Sequence, residues 1–325
     1  MFSRFFPHAS CCSATPNGTD GGPRLYMKRD DQTGLAISGN KVRKLEFLFG
    51  EAFASGADCV ITGGAAQSNH CRQTAAAAAQ LGMECHLALG GEEPDRFQGN
   101  LLLDRLLGAH LHWCGEDRKG ERIPALVEQL RERGKTPYVI PYGGSNGTGA
   151  LGLVDAVREL QDQHQAQALP AFTHVVFASS SGGTHAGLLA GCSLLRTDYQ
   201  LIGIGIDKED MGGEPLSAVI VRLADEVLYR LDAAATSVAA VTLEMRYAEP
   251  GYGVVGDVER EALSLVAATK GILLDPVYTG RAMGGLLDLI RNRRLTSEHT
   301  VLFWHAGGTP ALFSSAHLPC SAATS

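Results

Sequence analysis

Ser38-Gly39-Asn40-Lys41-Val42-Arg43-Lys44-Leu45-Glu46-Phe47-Leu48 sets three cations where a helix least favours them. Leu45, Leu48, Phe49, Ala52 and Phe53 recur at helical spacing and Asn40 is a good N-cap residue, so the spacing predicts a helix that begins at Lys41. A helix N-terminus carries partial positive charge and attracts Asp or Glu, yet Lys41, Arg43 and Lys44 occupy this first turn. Two arrangements offset that cost. Either the turn faces an anion, or one lysine sheds its proton under the push of the dipole and its cationic neighbours. A lysine that loses its proton easily is a nucleophile. Taken alone, a lysine near a helix start is a solvated surface charge, so the rest of the chain has to supply the other half of the chemistry.

Ser179-Ser180-Ser181-Gly182-Gly183-Thr184 supplies it. The stretch follows a buried strand and opens a helix, which places backbone N–H groups, hydroxyls and a helix dipole around one small anion. It has no lysine of the Walker kind and is not GxGxxG, so neither a nucleoside triphosphate nor a dinucleotide is indicated. Read alone, the loop could be a tight turn without a ligand. Read with the lysine turn, a nucleophilic amine and a cradle for one phosphate point to pyridoxal phosphate, whose aldehyde forms a Schiff base with lysine.

The elements that must position these groups alternate regularly. Strands are expected at 24–28, 58–62, 84–89, 110–114, 137–141, 174–178, 201–206, 241–246 and 300–304. Helices are expected from Lys41, from Asn69 or His70 to Leu81 behind the cap residue Ser68, and at 101–107, 123–133, 150–161, 185–195, 211–238, 256–270 and 283–291. Strands alternating with long helices mean open, twisted parallel sheets with right-handed crossovers, and ligands then sit beyond the strands' carboxyl ends, where every Gly-rich turn here lies. The polar run Gln161-Asp162-Gln163-His164-Gln165 reads as a domain boundary.

Composition narrows the partner. The 325 residues are enough for two domains, and a net charge of −7 argues against nucleic acid or an anionic membrane as the main partner. Eight scattered cysteines form no CxxC pair and no His/Cys metal spacing, so no metal is expected and a reducing, cytoplasmic setting is. No apolar run reaches membrane-span length. Residues 1–23, rich in Ser, Thr, Cys and Pro with Arg4 their only Lys or Arg, read as an unstructured leader, with an organellar transit peptide as the weaker alternative.

Gly39-Asn40-Lys41-Val42-Arg43-Lys44-Leu45-Glu46 and Gln67-Ser68-Asn69-His70-Cys71-Arg72-Gln73-Thr74 resemble the D-cysteine desulfhydrase and 1-aminocyclopropane-1-carboxylate deaminase family. The resemblance continues in order through Pro141-Tyr142-Gly143-Gly144-Ser145, Ser181-Gly182-Gly183-Thr184-His185-Ala186-Gly187, Pro250-Gly251-Tyr252-Gly253 and Asp275-Pro276-Val277-Tyr278-Thr279-Gly280. It implies an α/β fold of the tryptophan-synthase-β-like, type II pyridoxal phosphate kind. Residues 1–48 with 162–325 would form the larger domain, residues 49–161 a smaller inserted one, and the cofactor would lie between them. It also implies that Lys41 holds the cofactor and moves the Cα proton, and that Asn69 bonds the ring phenolic oxygen. Ser68, Asn69 and His70 would hold the substrate carboxylate, Ser181, Gly182, Gly183 and Thr184 the phosphate, and Tyr252 and Tyr278 would line the substrate side. A phenol there can hydrogen-bond or, with a lowered pKa, accept a proton.

Two departures from the family pattern stand out. A Pro-Thr-Pro-Leu segment usual before Lys28-Arg29-Asp30-Asp31 is missing, and Ala306 stands where the family carries a threonine facing the pyridine nitrogen. Thr309 or a water is the expected substitute. The expected activity is β-elimination from a small amino acid, D-cysteine first, in a homodimer, as family members commonly form. 1-Aminocyclopropane-1-carboxylate deamination, L-cysteate desulfonation and a non-catalytic cofactor-binding protein are the alternatives.

Overall fold

The computed structural model describes residues 22–314 apart from 118, 119, 208 and 250. The leader reading, which concerns residues 1–23, therefore falls almost wholly outside the described residues. The chain runs β1 (Arg24–Arg29), α1 (Lys41–Ala54), β2 (Cys59–Ala65), α2 (Asn69–Leu81), β3 (Glu84–Gly90), α3 (Gly99–Leu106), β4 (His110–Trp113), α4 (Ile123–Glu132), β5 (Pro137–Val139) and α5 (Gly147–Ala166). It continues β6 (His174–Ser179), α6 (Gly183–Leu194), β7 (Gln200–Gly205), β8 (Asp210–Met211), β9 (Glu214–Pro215), α7 (Leu216–Arg230), β10 (Leu243–Glu244), α8 (Asp257–Lys270), α9 (Thr279–Arg291) and β11 (Thr300–His305).

Two wholly parallel sheets result, in the orders β1-β11-β6-β7-β10 and β4-β3-β2-β5. Both faces of each are covered, which is why strands such as Val175-Val176-Phe177 read as unbroken apolar runs. One face of the larger sheet packs on α5, α6 and α7 through Val175, Phe177, Leu201 and Leu302, and the other on α8 and α9 through Val176, Ile204, Val301 and Phe303. On the smaller sheet, α1 and α2 cover Val60, Leu87 and Leu89, while α4 covers Cys59, Ile61 and Ala88.

The helix α1 belongs to both halves. Its apolar residues Val42, Leu45, Leu48 and Phe49 join the smaller sheet's core, and its backbone rests on α5. A Cβ at Gly152 of α5 would lie 2.0 Å from the Arg43 carbonyl oxygen, and one at Gly187 of α6 would lie 2.3 Å from that of Ala150, so only glycine permits this stacking. A buried ionic network fixes the rotation of α1. Arg43 grips Asp30 with two bonds of 2.8 and 2.9 Å and reaches Glu159 at 3.0 Å, and Trp304 Nε1 donates to Asp30 at 2.8 Å. Against the burial that would raise it, Arg43 and Lys28 hold the Glu159 carboxyl down at about 2.

Several local expectations are corrected. The polar run 161–165 continues α5 instead of following it; it is polar because one side meets solvent and Gln163 accepts a bond from the buried Lys28 amine. Residues 211–238 do not form one helix, because Gly212 and Gly213, at φ +68° and +88°, turn β8 back on β9 before α7 begins. The strand expected at 241–246 shrinks to β10, and α9 starts at Thr279 instead of Met283, its glycines lying inside the helix.

Candidate active site

The carboxyl ends of both sheets converge on one cleft, lined by Lys41, Ser68, Asn69, His70, Ser181, Gly182, Thr184, Tyr278 and Ala306 among others. Two expected residues stand just behind that wall. Tyr252 reaches it through its hydroxyl, 3.1 Å from that of Tyr278, and a Cβ at Gly183 would lie 2.6 Å from Ser145 Oγ.

Lys41 opens α1 as the spacing predicts, and Asn40 stands at the N-cap position but makes no cap bond with its side chain. The Asn40 side chain donates to Thr184 Oγ1 at 3.2 Å and its N–H to the Ala306 carbonyl at 3.0 Å, tying α1 to the larger sheet's loops. Gln73 of α2 takes over, its Oε1 accepting the Val42 N–H at 3.0 Å. The chain reaches Lys41 through three consecutive non-glycine residues in the left-handed region, Ala36, Ile37 and Ser38 at φ +39°, +61° and +55°. Such conformations cost about 1–3 kcal/mol each and persist only where surroundings impose them. The fully buried Arg72 imposes them here, donating to the carbonyls of Ala36 and, at 3.0 Å, Ser38.

One turn further, Lys44 is fully buried, with Nζ 3.1 Å from the Gly143 carbonyl and 3.2 Å from Ser145 Oγ. Burial first, then the charge of Lys41, pushes its pKa well below the ordinary lysine value. Lys44, behind the wall of the cleft, thus shows the pKa depression that a cation in this turn is expected to have.

The helix α2 is capped as expected, Ser68 Oγ accepting the Cys71 N–H at 3.2 Å. Asn69 is held by a relay invisible in the sequence: Asn100 Nδ2 donates to Asn69 Oδ1 at 2.8 Å, and Arg72 Nε donates to Asn100 Oδ1 at 2.9 Å. This leaves the Asn69 amide NH2 as the group open to a partner. His70 Nε2 meets Thr62 Oγ1 at 2.9 Å, whereas Nδ1 is buried without a partner. Burial, then Lys41 and Lys44, holds this imidazole well below its usual pKa, so the bond that His70 can offer a carboxylate is a neutral N–H bond.

The tyrosines are corrected in the same sense. Burial pushes both Tyr252 and Tyr278 up, not down, so near neutral pH they are proton donors. Asp275 sets the start of α9 by accepting the N–H groups of Val277, Tyr278 and Thr279 at 3.0, 2.9 and 2.6 Å, and the Thr279 hydroxyl at 2.7 Å. Arg281, buried against Glu259, gathers the Ala248, Gly251 and Val254 carbonyls at 3.3, 3.1 and 2.9 Å and so shapes the loop that carries Tyr252.

At the other end of the cleft, Gly182 takes φ +80° and α6 starts with no side-chain cap, so its first N–H groups face outward from the helix beside the Ser181 and Thr184 hydroxyls. Ser181 Oγ is fixed 2.8 Å from Ser145 Oγ. Ala306 lines the cleft while its carbonyl accepts the Asn40 N–H, and Thr309, expected as a stand-in for the family threonine, does not line it.

These residues fit pyridoxal phosphate. An open helix N-terminus with glycines and hydroxyls suits one phosphate, a lysine amine enters the same cleft, and the orphaned His70 Nδ1 calls for a polar guest. Two parallel α/β halves closing on such a cleft define the type II, tryptophan-synthase-β-like class of pyridoxal-phosphate enzymes. The chain belongs to the family of pyridoxal-phosphate dependent enzymes, whose sequence pattern matches residues 13–307. It is 41% identical over 299 residues to D-cysteine desulfhydrases of Salmonella newport and Salmonella typhimurium, covering 90% of this chain and 89% of each relative. Among solved structures it resembles an ACC deaminase homologue at TM-score 0.81 and 34% identity over 94% of both chains. A pyridoxal 5'-phosphate-dependent aspartate racemase shares the fold at TM-score 0.66 and 15% identity, over 94% of this chain and 92% of its own. Among the described residues no helix is long and apolar enough to cross a membrane.

Proposed function

We propose that this enzyme eliminates hydrogen sulfide from D-cysteine, giving pyruvate and ammonia with the uptake of one water. The observation that carries this reading is the α2 N-terminus. Ser68 and His70 line the same cleft as Lys41, and the neutral His70 ring holds a buried Nδ1 that makes no hydrogen bond of ordinary geometry. A substrate carboxylate there meets a helix dipole, a hydroxyl and an imidazole N–H, and the amino acid is oriented with its Cα toward the lysine side.

When bound, pyridoxal phosphate supplies an electron sink for the negative charge that develops at Cα. The chain's own residues do the rest. Lys41 anchors the cofactor and then carries the Cα proton; Ser181, Gly182, Gly183 and Thr184 hold the phosphate; the Asn69 amide donates to the ring phenolic oxygen. Tyr278, kept protonated by burial and bonded to Tyr252, holds a proton at Oη that the departing sulfur needs.

The family resemblance separates the substrates at two positions. Cyclopropane deaminases typically carry Gln where this chain has His70 and Glu where it has Thr279, and here the Thr279 hydroxyl is consumed by Asp275. No carboxylate is offered at that position. L-cysteate lyases share the histidine, so L-cysteate, with sulfite as its leaving group, is the competing substrate. Pyruvate release by the purified holoenzyme, compared as kcat/KM for D-cysteine, L-cysteate and 1-aminocyclopropane-1-carboxylate, tests the reading. D-cysteine is expected to rank first, and a first rank for the cyclopropane sinks it.

Two further readings rest on the resemblance: a homodimer working in the cytoplasm, checked by sedimentation and fractionation, and a division of the chain into a larger unit and the insert 49–161. By number α5 falls mostly in the insert, yet Ala150, Leu153, Ala156, Val157 and Leu160 pack in the larger sheet's core.

A further inference from the structure

Glu84 and His86 of β3 and His110 and His112 of β4 stand on one face of the smaller sheet, since alternate residues share a face and the register sets His86 beside His110. It is the face that α4 covers, but α4 packs over β2 and β5, and β4 is an edge strand, so the four residues occupy the uncovered corner. Their neighbours Cys85, Leu87 and Leu111 point the other way, into the core under α2.

The rings are close. His86 stacks on His110 with centroids 4.7 Å apart, and its Nδ1 lies 3.1 Å from His112 Nε2. His86 is only 5% exposed, and its Nε2 has no hydrogen-bond partner. A buried nitrogen left unsatisfied is costly, and stacking does not account for it. Glu84 Oε2 lies 3.7 Å from it, beyond hydrogen-bond reach, while Lys135 occupies the other oxygen of that carboxylate. One ligand atom each from Glu84, His86 and His110 lies within 4.8 Å of the others. Tetrahedral bonds of about 2.0–2.1 Å put ligand atoms roughly 3.4 Å apart, so small side-chain rotations close the set.

We propose that Glu84, His86 and His110 form a binding site for a divalent transition cation such as Zn2+, Ni2+ or Co2+, with His112 fixing the His86 tautomer. Two imidazoles and a carboxylate are the donors these ions accept, and an Nδ1–H bonded to a second imidazole is the outer support that ligating histidines usually have. The expectation of no metal looked along the sequence for cysteine and histidine spacing; this set is assembled across two strands instead. The site lies toward the amino ends of β3 and β4, away from the catalytic cleft at the carboxyl ends, so the ion would clamp the edge strand and leave turnover alone.

Titrating Co2+ into chelator-treated holoenzyme tests this. One equivalent per chain is expected, with visible d–d bands of nitrogen and oxygen donors and no thiolate charge-transfer band, and with a raised melting temperature that follows the ion concentration. The exposed His110→Ala and the conservative His86→Gln should each weaken binding roughly tenfold or more, with kcat/KM unchanged. A thiolate band, equal binding by His110→Ala, or no saturable binding overturns the proposal. Circular dichroism of both variants separates lost ligation from lost folding.

Discussion

The N-termini of α1 and α2 open on the same cleft and are built in opposite ways. Ser68 caps α2 from within its own turn. α1 has no side-chain cap of its own: the Val42 N–H is shared between the Gly39 carbonyl at 3.2 Å and Gln73 Oε1, 31 residues away, at 3.0 Å, and the Asn40 side chain is drawn off to Thr184, 144 residues away. α2 presents a neutral, dipole-positive end suited to an anion, whereas α1 presents cations held up by strain and by long-range bonds. The one end can bind and the other can react, because a self-contained terminus is rigid locally and a borrowed one exists only when both sheets are in place.

The largest effect should come from the reactive end. Lys41→Ala is expected to abolish the visible absorbance of the lysine-linked cofactor and to cut turnover by roughly 10²–10⁴-fold or more. Lys44→Met, three residues on, should keep that absorbance; at a pH above the ordinary lysine value, where burying the neutral amine carries no protonation cost, it should lose about 1–3 kcal/mol of stability, because the Gly143 carbonyl loses its buried donor. Borohydride reduction followed by peptide mapping decides between them, and a label on Lys44 inverts the comparison. The same pair gives a pH test. Unfolded Lys44 binds a proton that the folded residue releases at a depressed pKa, so folding stability should rise with pH between that pKa and the ordinary lysine value of 10.5. Lys44→Met should flatten that slope, and urea unfolding across the range measures it.

A smaller effect separates the caps. Ser68→Ala should cost about 1 kcal/mol of stability, as N-cap losses do, and also raise KM. Gln73→Ala should cost less, because Gln73 Nε2 is itself buried without a partner and its removal relieves one unsatisfied group while stripping another. A loss for Gln73→Ala as large as that for Ser68→Ala in urea unfolding would mean that α1 leans on its distant partner as heavily as α2 leans on its local cap.

This contrast explains what the sequence made legible. The start of α2, the phosphate loop and the lysine turn are each written in a few adjacent residues, so cap chemistry, glycine placement and charge at a helix start could be read directly. Arg72, Asn100, Asp275 and Arg281 could not be read so, because each acts through partners brought together only by the packed sheets. Arg72 and Arg281 are fully buried, an unlikely place for arginine on composition alone. A tight run such as Asp275-Pro276-Val277-Tyr278-Thr279 carried a signal that was open to use, since an aspartate three or four residues before a helix start commonly takes its free N–H groups. The directions of the tyrosine and histidine shifts depended on burial, which no local spacing encodes.

The smallest effect concerns Ala306, where β11 hands its backbone to α1. The Ala306 carbonyl accepts the Asn40 N–H at 3.0 Å, and Gly307 packs against Gly39 so closely that a Cβ there would lie 2.7 Å from the Gly39 Cα. The backbone at 306 is therefore set by α1 and not by its own side chain, and Ala306→Thr should leave it in place. The added hydroxyl restores the group that related enzymes turn to the ring nitrogen. A neutral hydrogen bond is worth about 0.5–1.5 kcal/mol net, so cofactor affinity or turnover should rise about threefold to tenfold. A hydroxyl does not protonate the ring nitrogen as a carboxylate would, which is why the gain is bounded at this size. If Ala306→Thr instead lowers cofactor affinity, the methyl group has disturbed the Asn40 bond. The borrowed end of α1 would then be the weaker constraint at this junction, contrary to the comparison drawn above.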